Sequence, residues 1–218
     1  MKARRIGRRE WLLLGGAIVA GWGVSVVLRE TVPVGRDVSA NPVARDALAM
    51  GGVPVAMPVG GDLTMLVFTD YQCPICRVTE TELAAAVSAD GKVRLAYREW
   101  PVFGVVSEHA ARVALAAAAQ DIYPQLHRLL MEEPRRLGDA VLREAVERAG
   151  GDWSMVQRQL VANRAAIDRA LAVNARDALG LGLAGTPGYL IGGLLVEGAL
   201  TERGFRRAFA RARGLRPG

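Results

Sequence analysis

The sequence has few of the residues from which disulfide frameworks and metal sites are built. Its 218 residues include two cysteines and two histidines, and aromatic residues make up 6%. Two cysteines exclude a framework of several structural disulfides. There is no internal repeat and no low-complexity tract. With 51% hydrophobic and 23% charged residues, most of the chain is expected to fold around a core.

Positive charge is also scarce outside the two ends of the chain. The net charge is +6, but residues 1–10 carry +4 and residues 202–218 carry +5, which leaves −3 for the body. No basic surface interleaved with aromatic residues runs through the body, so the charge pattern argues against nucleic-acid binding. The arginines of the C-terminal end are interpreted as the solvated end of a helix.

The N-terminus begins with a basic segment, which is followed by residues 11–28 without a single charge. This order is typical of an export signal or a membrane anchor. Arg8 and Arg9 resemble a twin-arginine signal, although their neighbours depart from the usual pattern. Cleavage near Ala40 and retention as an anchor both stay open. Either alternative predicts a body outside the cytoplasm, in the periplasm or an equivalent compartment, and a retained segment would anchor it to the inner membrane.

Hydrophobic periodicity along the body predicts a β-α-β unit, then a helical block, then a β-hairpin and a final helix. Ser107 is predicted to cap the first helix of the block. The order predicts an α/β fold with one central sheet and helices on both faces. The predicted elements are strands 63–68 and 92–99 around a helix from residue 74, helices within 107–180, a hairpin over 189–196, and a helix from residue 201.

Both cysteines lie in one short segment, "FTDYQCPICRV", between a predicted buried strand and a predicted helix. Pro74 suits the first helical turn, so Cys73 is expected near the N-cap. Free N–H groups and the helix dipole stabilise a thiolate there and lower a thiol pKa to roughly 3.5–7.5. Cys76 follows one turn later, near enough to bond with Cys73. One sulfur can therefore attack a substrate while the other resolves the mixed disulfide.

This segment resembles the DsbA-like thiol-disulfide oxidoreductases of the thioredoxin superfamily. The resemblance covers about residues 41–210 and also rests on "YREWPVFGVVSEHAARVALAA", "LHRLLM" and "LGLAGTPGYLIGG". It implies a thioredoxin-like fold with an inserted all-helical subdomain, preceded by an N-terminal apolar helix. The implied division is a signal or anchor at 1–28, a linker at 29–40, a thioredoxin-like domain at 41–106 and 181–214, and a helical insertion at 107–180.

The resemblance also implies roles for two further pairs of residues. In the family, a Thr-Pro or Val-Pro peptide with a cis proline faces the cysteines, and by position this is Thr186-Pro187. Its implied role is backbone pairing with the substrate and exclusion of metal from the thiols. The dipeptide between the cysteines is Pro74-Ile75, where strongly oxidising members have Pro-His. Because Ile75 cannot hydrogen-bond the thiolate, we expect a less depressed Cys73 pKa and a less oxidising couple.

An acidic proton acceptor is the third feature that the resemblance raises. Many relatives carry an acid six residues before the first cysteine, and Val67 occupies that position here. Asp70 is the nearest acid and is a candidate for proton transfer. Capping the turn between strand and helix is the alternative role for Asp70. Glu99, at the end of the second predicted strand, is a weaker candidate.

Metal binding is the main chemical alternative for the two thiols. The histidines, His109 and His127, fall within the predicted helical block and not at zinc-finger spacing. A copper chaperone of this fold usually has a Cys-x-x-x-Cys spacing and a histidine near the cis-proline loop, and neither is present. A pure binding module would not need both thiols. No metal and no cofactor are therefore predicted.

The direction of electron flow stays open on the sequence. An oxidase donates its disulfide to reduced exported proteins and is reoxidised by a quinone-linked membrane thiol oxidase. A reductase or isomerase is kept reduced and is usually dimeric through an added N-terminal domain, for which residues 29–61 are too short. The expectation is a monomeric oxidase, with membrane contact through residues 11–28 if that segment is retained.

Overall fold

One mixed sheet organises the described part of the chain, which in the computed structural model is residues 34–215. The predicted apolar segment at residues 1–28 lies outside this part. The strands of the sheet are β1 (Arg36–Asp37), β2 (Val53–Ala56), β3 (Leu63–Thr69), β4 (Val93–Glu99), β5 (Gly188–Ile191) and β6 (Leu194–Glu197). Their order across the sheet is β1-β6-β5-β3-β4-β2.

Eight α helices and one short 3-10 helix accompany the sheet within the same residues. The α helices are α1 (Pro42–Met50), α2 (Pro74–Asp90), α3 (Val105–Ala117), α4 (Tyr123–Glu132), α5 (Asp139–Arg148), α6 (Trp153–Ala162), α7 (Arg164–Leu181) and α8 (Glu202–Gly214). The 3-10 helix, Ala118–Gln120, follows α3 directly. Among residues 34–215 no helix combines the length and the apolar character needed to cross a membrane.

The central strand β3 is buried along almost its whole length. It pairs with β4 in parallel and with β5 in antiparallel orientation. Every residue of β3 except Thr64 is buried, because helices cover both faces of the sheet. The apolar run of residues 63–68 therefore forms the predicted central strand, and α2 is the connection that returns the chain to the parallel strand β4.

The order of elements is the α/β order predicted from the sequence. The unit β3-α2-β4 is followed by five helices, α3 to α7, and then by the hairpin β5-β6 and the final helix α8. This arrangement is a thioredoxin-like α/β fold with additional helices between β4 and β5.

The segment predicted as a linker, residues 29–40, differs from that prediction in its second half. Arg36 and Asp37 form the edge strand β1, which pairs with β6, and Val38 is buried. Gly35 has φ +72, and a Cβ there would lie 2.5 Å from the carbonyl oxygen of Leu195. The close approach requires glycine. Two strand residues are too short a segment for periodicity to reveal.

The start of the helical block also differs from the prediction. Helix α3 begins at Val105 with Gly104 at the N-cap, so Ser107 is not the cap. Ser107 is buried instead, and its hydroxyl donates to Asp70 at 2.7 Å. A serine that binds a distant carboxylate carries the same local sequence signal as a capping serine.

A buried ion pair joins the sheet to two helices. Arg98 of β4 donates to Asp177 of α7 at 3.1 Å and to Asn174 at 3.0 Å. It also donates to the carbonyl of Ala47 in α1 at 2.9 Å. These bonds fix α1 and α7 against the same face of the sheet and so support the end of β4 that precedes residues 100–104.

Candidate active site

Cys73 lies at the junction where β3 ends and α2 begins. It is the N-cap of α2, and Pro74 occupies the first helical position. Both cysteines are free thiols, so the structure represents the reduced form. The Sγ of Cys73 accepts a hydrogen bond from the backbone N–H of Cys76 at 3.2 Å. The sulfur therefore takes the place that a serine or aspartate oxygen takes in an ordinary helix cap.

The surroundings of Cys73 favour its thiolate. The hydrogen bond from the Cys76 side chain is the largest cause, and Thr186 and the amides of Cys76 and Ile75 act in the same direction. Burial opposes these groups, and the resulting pKa of Cys73 is about 6, below the ordinary 9.0. At neutral pH most molecules therefore carry Cys73 as the thiolate, which is the reactive form in disulfide exchange.

Cys76 is the opposite member of the pair. Both cysteines are buried, Cys73 at 1% and Cys76 at 3% exposed, but the hydrogen bond of Cys76 to Cys73, together with burial, raises the pKa of Cys76 well above the ordinary range. A thiol that keeps its proton is a poor nucleophile. Cys76 can instead donate a hydrogen bond to the Cys73 thiolate and attack it once that sulfur is bonded to another group.

The loop that contains Thr186 and Pro187 faces the cysteines. The Thr186-Pro187 peptide bond is cis. The carbonyl oxygen of Thr186 lies 3.3 Å from the Sγ of Cys73 and accepts a hydrogen bond when that sulfur is protonated. Pro187 is buried, and its own carbonyl accepts from the N–H of Gly198 at 3.0 Å. Residues 113 positions apart in the chain thus form the two walls of the site.

The two residues between the cysteines are open to solvent. Ile75 is 46% exposed, and Pro74 is also exposed. The main chain of Ile75 takes part in the site, because its amide lowers the pKa of Cys73 and its carbonyl accepts from Thr79 at 2.7 Å. The apolar side chain of Ile75 supplies no hydrogen bond to the sulfur.

Asp70 is placed as a structural ligand of the loops around the site. Its two carboxylate oxygens accept four hydrogen bonds, from the amides of Gln72, Val102 and Phe103 and from the hydroxyl of Ser107, at 2.6 to 3.0 Å. The contact with Cys76 runs through the main chain of Asp70. The bond from Gln72 is the turn cap that the sequence offered as an alternative role for Asp70. The bonds from Val102 and Phe103 tie a second loop to Asp70, and the sequence did not predict this connection.

A buried polar cluster lies behind the turn and was missed at the level of sequence. Glu99 accepts hydrogen bonds from the hydroxyls of Tyr71, at 2.7 Å, and of Tyr123. Tyr71 also lies 3.0 Å from the Nδ1 of His127. Burial raises the pKa of Glu99. The cluster ties the cysteine turn, through Tyr71, to helix α4. Its members are scattered over 57 residues, so no local pattern connects them.

The two histidines are separated from one another in the fold. His109 lies at the surface and pairs with Asp139 at 2.7 Å, whereas His127 is buried. Among residues 34–215, no group of three or more His, Cys, Asp or Glu is placed to hold a metal ion.

Comparisons with known proteins agree with this geometry. The family model described as a DSBA-like thioredoxin domain matches residues 64–210. A thioredoxin-like oxidoreductase from Silicibacter pomeroyi DSS-3 is 35% identical, with a TM-score of 0.71 over 79% of this chain and 99% of that one. The thiol-disulfide exchange protein alpha-DsbA2 from Wolbachia pipientis shares the fold, with 20% identity and a TM-score of 0.70 over 81% and 99% of the two chains.

A curated relative of another kind shares part of this sequence. The Na(+)/H(+) antiporter NhaA 3 of Salinispora tropica is 29% identical over 166 residues, which are 73% of this chain and 25% of that protein. The chain therefore spans about a quarter of the length of this relative. The transport activity in the relative's name refers to the relative.

Proposed function

Because the chain belongs to the DSBA-like thioredoxin domain family, we propose that it is an extracytoplasmic oxidase that donates a Cys73–Cys76 disulfide to exported proteins. The general activity, protein thiol-disulfide oxidoreduction, is that of the family and of the 35% identical oxidoreductase. The direction of electron flow, the compartment and the substrates are the proposed part.

The lowered pKa of Cys73 is the observation that carries the oxidase direction. A pKa of about 6 means that the reduced protein is stabilised as its thiolate at neutral pH. Any interaction that stabilises the reduced form makes the disulfide a stronger oxidant. The main alternative is a reductase or isomerase that is kept reduced, for which a less stabilised Cys73 thiolate would be the better fit.

The oxidation step follows from the difference between the two thiols. A substrate thiolate attacks the Sγ of Cys73, which breaks the Cys73–Cys76 bond, and the released Cys76 sulfur takes up a proton. A second substrate thiolate then attacks the substrate sulfur of the mixed disulfide. Cys73 leaves as a thiolate, and its low pKa makes it a good leaving group. The substrate loses two electrons, which the protein dithiol retains.

Exposed apolar side chains around the turn support unfolded, reduced proteins as the substrates. Ile75 and Val78 on α2 are exposed, as are Val102 and Phe103 on the loop that Asp70 holds. An unfolded substrate protein exposes apolar side chains and unpaired backbone groups. We propose that the apolar side chains of the substrate contact this surface and that its backbone pairs with the loop at Thr186.

Two further parts of the proposal concern the compartment and the electron acceptor. The basic and apolar N-terminal segment supports an extracytoplasmic location. Each catalytic cycle leaves two electrons on the dithiol, so a separate oxidant must remove them. We propose a quinone-linked membrane thiol oxidase as that partner.

The reduction potential of the Cys73–Cys76 couple tests the direction. Equilibration with glutathione buffers should give a value above the roughly −270 mV of thioredoxin and below the roughly −120 mV of DsbA, because the Cys73 pKa of about 6 lies between their reactive-cysteine pKa values of roughly 7 and 3.5. A value near the lower figure would favour a reductase. In cells, Cys76→Ala should trap mixed disulfides with exported proteins. The double variant that also carries Cys73→Ala is the control and should trap none.

A further inference from the structure

A threonine hydroxyl lies directly behind the first turn of α2. Thr79 is 3% exposed, and its Oγ1 donates to the carbonyl of Ile75 at 2.7 Å, with a longer contact of 3.2 Å to the carbonyl of Cys76. A threonine inside a helix often bonds the carbonyl four residues earlier. Here the carbonyl of Ile75 belongs to the peptide unit whose N–H, on Cys76, donates to the Sγ of Cys73. Thr79 therefore acts on the same amide group that binds the sulfur.

A tyrosine on β5 binds this threonine in turn. The hydroxyl of Tyr189 lies 3.2 Å from the Oγ1 of Thr79, and Tyr189 is 1% exposed. Its ring is held by an edge contact with Phe205, with the ring centroids 5.0 Å apart. Tyr189 follows the cis proline, Pro187, by two residues. The strand that follows the cis-proline loop thus also contacts the first turn of α2.

The directions of these hydrogen bonds follow from counting protons. The Thr79 hydroxyl has one proton, which lies on the shorter bond, to the carbonyl of Ile75. Burial raises the pKa of Tyr189, so its hydroxyl keeps its proton at neutral pH. Among residues 34–215, Thr79 is the acceptor within reach of that proton, and reversing this bond would leave a buried donor unsatisfied. The two O–H groups and the N–H of Cys76 therefore all point toward the sulfur.

Hydrogen bonds that are aligned in this way strengthen one another. A carbonyl that accepts a hydrogen bond makes the N–H of the same amide a stronger donor, and each bond in such a chain gains roughly 10–30%. The chain is buried, so water screens it little. Negative charge on Cys73 strengthens every bond of the chain, whereas a sulfur in a disulfide carries no charge to stabilise. The chain therefore favours the reduced, ionised form of Cys73 over the oxidised form.

We propose that Tyr189 and Thr79 are positioning residues for disulfide exchange, because their hydroxyls form a relay that stabilises the Cys73 thiolate through the amide of Cys76. The relay acts through this amide, and neither hydroxyl binds the sulfur itself. The inference rests on the proposed function only in taking Cys73 as the reactive thiol, and it holds for either direction of electron flow. Loss of the relay should make the thiolate less stable and the disulfide a weaker oxidant.

The rate of Cys73 alkylation against pH, measured on the full chain, tests the relay. Thr79→Val removes the hydroxyl at nearly constant shape. It should lower the acid dissociation constant of Cys73 about 1.3- to 5-fold, the effect of losing roughly 10–30% of one hydrogen bond to a charged group. Tyr189→Phe keeps the ring against Phe205 and should have a smaller effect in the same direction. Thr79→Ser keeps the hydroxyl and should retain the parent midpoint of about 6.

A double variant distinguishes a relay from two independent packing effects. Once Thr79→Val has broken the chain, adding Tyr189→Phe should not change the Cys73 midpoint further, whereas independent effects would add. Tyr123→Phe is the matched control, because it removes another buried tyrosine hydroxyl, which donates to Glu99 outside the relay. Its midpoint should stay at the parent value.

The parent protein separates failure of the relay from failure of the proposed function. A parent midpoint near 6 that Thr79→Val and Tyr189→Phe leave unchanged, or that they shift additively, would overturn the relay alone. A shift of the same size in Tyr123→Phe would also overturn it. A parent midpoint near the ordinary 9.0 would overturn the relay and the proposed function together.

Discussion

At the scale of single residues, the chemistry of this site comes from a difference between two identical side chains. Cys73 caps a helix and accepts hydrogen bonds, which lowers its pKa to about 6. Cys76 is buried one turn later and donates to Cys73, which raises its pKa. The same hydrogen bond thus lowers one pKa and raises the other. The two side chains are chemically identical, so their surroundings decide which one is the thiolate and which one keeps its proton.

Removing the Cys76 thiol should raise the pKa of Cys73, because its hydrogen bond is the largest cause of the lowering. Cys76→Ala is expected to move the midpoint of Cys73 alkylation upward from about 6. Cys76→Ser retains a hydrogen-bond donor, so its alkylation midpoint should lie between those of the parent protein and the alanine variant. Alkylation rate against pH measures all three. Identical midpoints for Ala and Ser would show that the hydrogen bond is not responsible.

A donor at position 75 should make the couple more oxidising. Ile75 is about half exposed and its side chain gives the sulfur no hydrogen bond, so Ile75→His adds a donor at little cost to packing. The Cys73 pKa should fall and the reduction potential should rise, by about 30 mV for each tenfold change in the exchange equilibrium. Ile75→Phe, exposed and apolar, is the control and should keep the parent potential.

At the scale of elements, Asp70 holds two loops in one arrangement. It accepts hydrogen bonds from the turn before α2, from residues 102 and 103, and from the first turn of α3. The apolar side chains of Val102 and Phe103 are exposed beside that turn as a result. The carboxylate therefore shapes the surface around the cysteines without touching either sulfur.

Asp70→Ala should destabilise the protein strongly, because it removes a buried carboxylate that accepts four hydrogen bonds. The expected loss is about 3 kcal/mol or more in the free energy of unfolding, since hydrogen bonds to charged groups contribute roughly 1.5–3 kcal/mol each. Ser107→Ala removes one donor and leaves the other three bonds of Asp70, so about 1 kcal/mol is expected. Urea denaturation measures both. Equal, small losses would contradict the structural role of Asp70.

At the scale of the whole molecule, the site exists because distant segments meet. Thr186 reaches Cys73 from 113 residues away. Arg98 joins the sheet to α1 and α7 through buried bonds. The stability of the fold and the ionisation of Cys73 are therefore linked, since the groups that stabilise the thiolate are assembled only in the native state.

This linkage predicts a pH-dependent difference in stability between the two redox forms. The Cys73 pKa is about 6 in the folded reduced protein and 9.0 when unperturbed, so between these values the unfolded form binds more protons. The unfolding free energy of the reduced protein should then rise with pH over this window, and the gain should be lost as pH falls through about 6.

The oxidised protein is the control for this measurement, because its sulfurs do not titrate. Urea denaturation of both forms at about pH 5, 7 and 9 should show reduced-minus-oxidised stability increasing across the series. A difference that stays constant over the three pH values would mean that the Cys73 thiolate is not stabilised by folding.

The sequence by itself determined the elements and the position of the thiols. An apolar run of strand length predicted β3, and a Cys-Pro start at a strand-to-helix junction predicted the N-cap cysteine. These features are local, because burial pattern and capping depend on neighbours a few residues apart. For the same reason β1 was not predicted, because a strand of two residues shows no hydrophobic periodicity.

The tertiary structure alone decided which polar groups meet. Asp70 could have been a proton acceptor or a cap by sequence, and the fold gave it four donors from three segments. Glu99 of β4 and Tyr71 of the cysteine turn meet Tyr123 and His127 of α4 in one cluster, although these three segments are far apart in the sequence. A buried polar group takes its partners from whatever the packing brings within hydrogen-bond distance, and that information is not contained in local spacing.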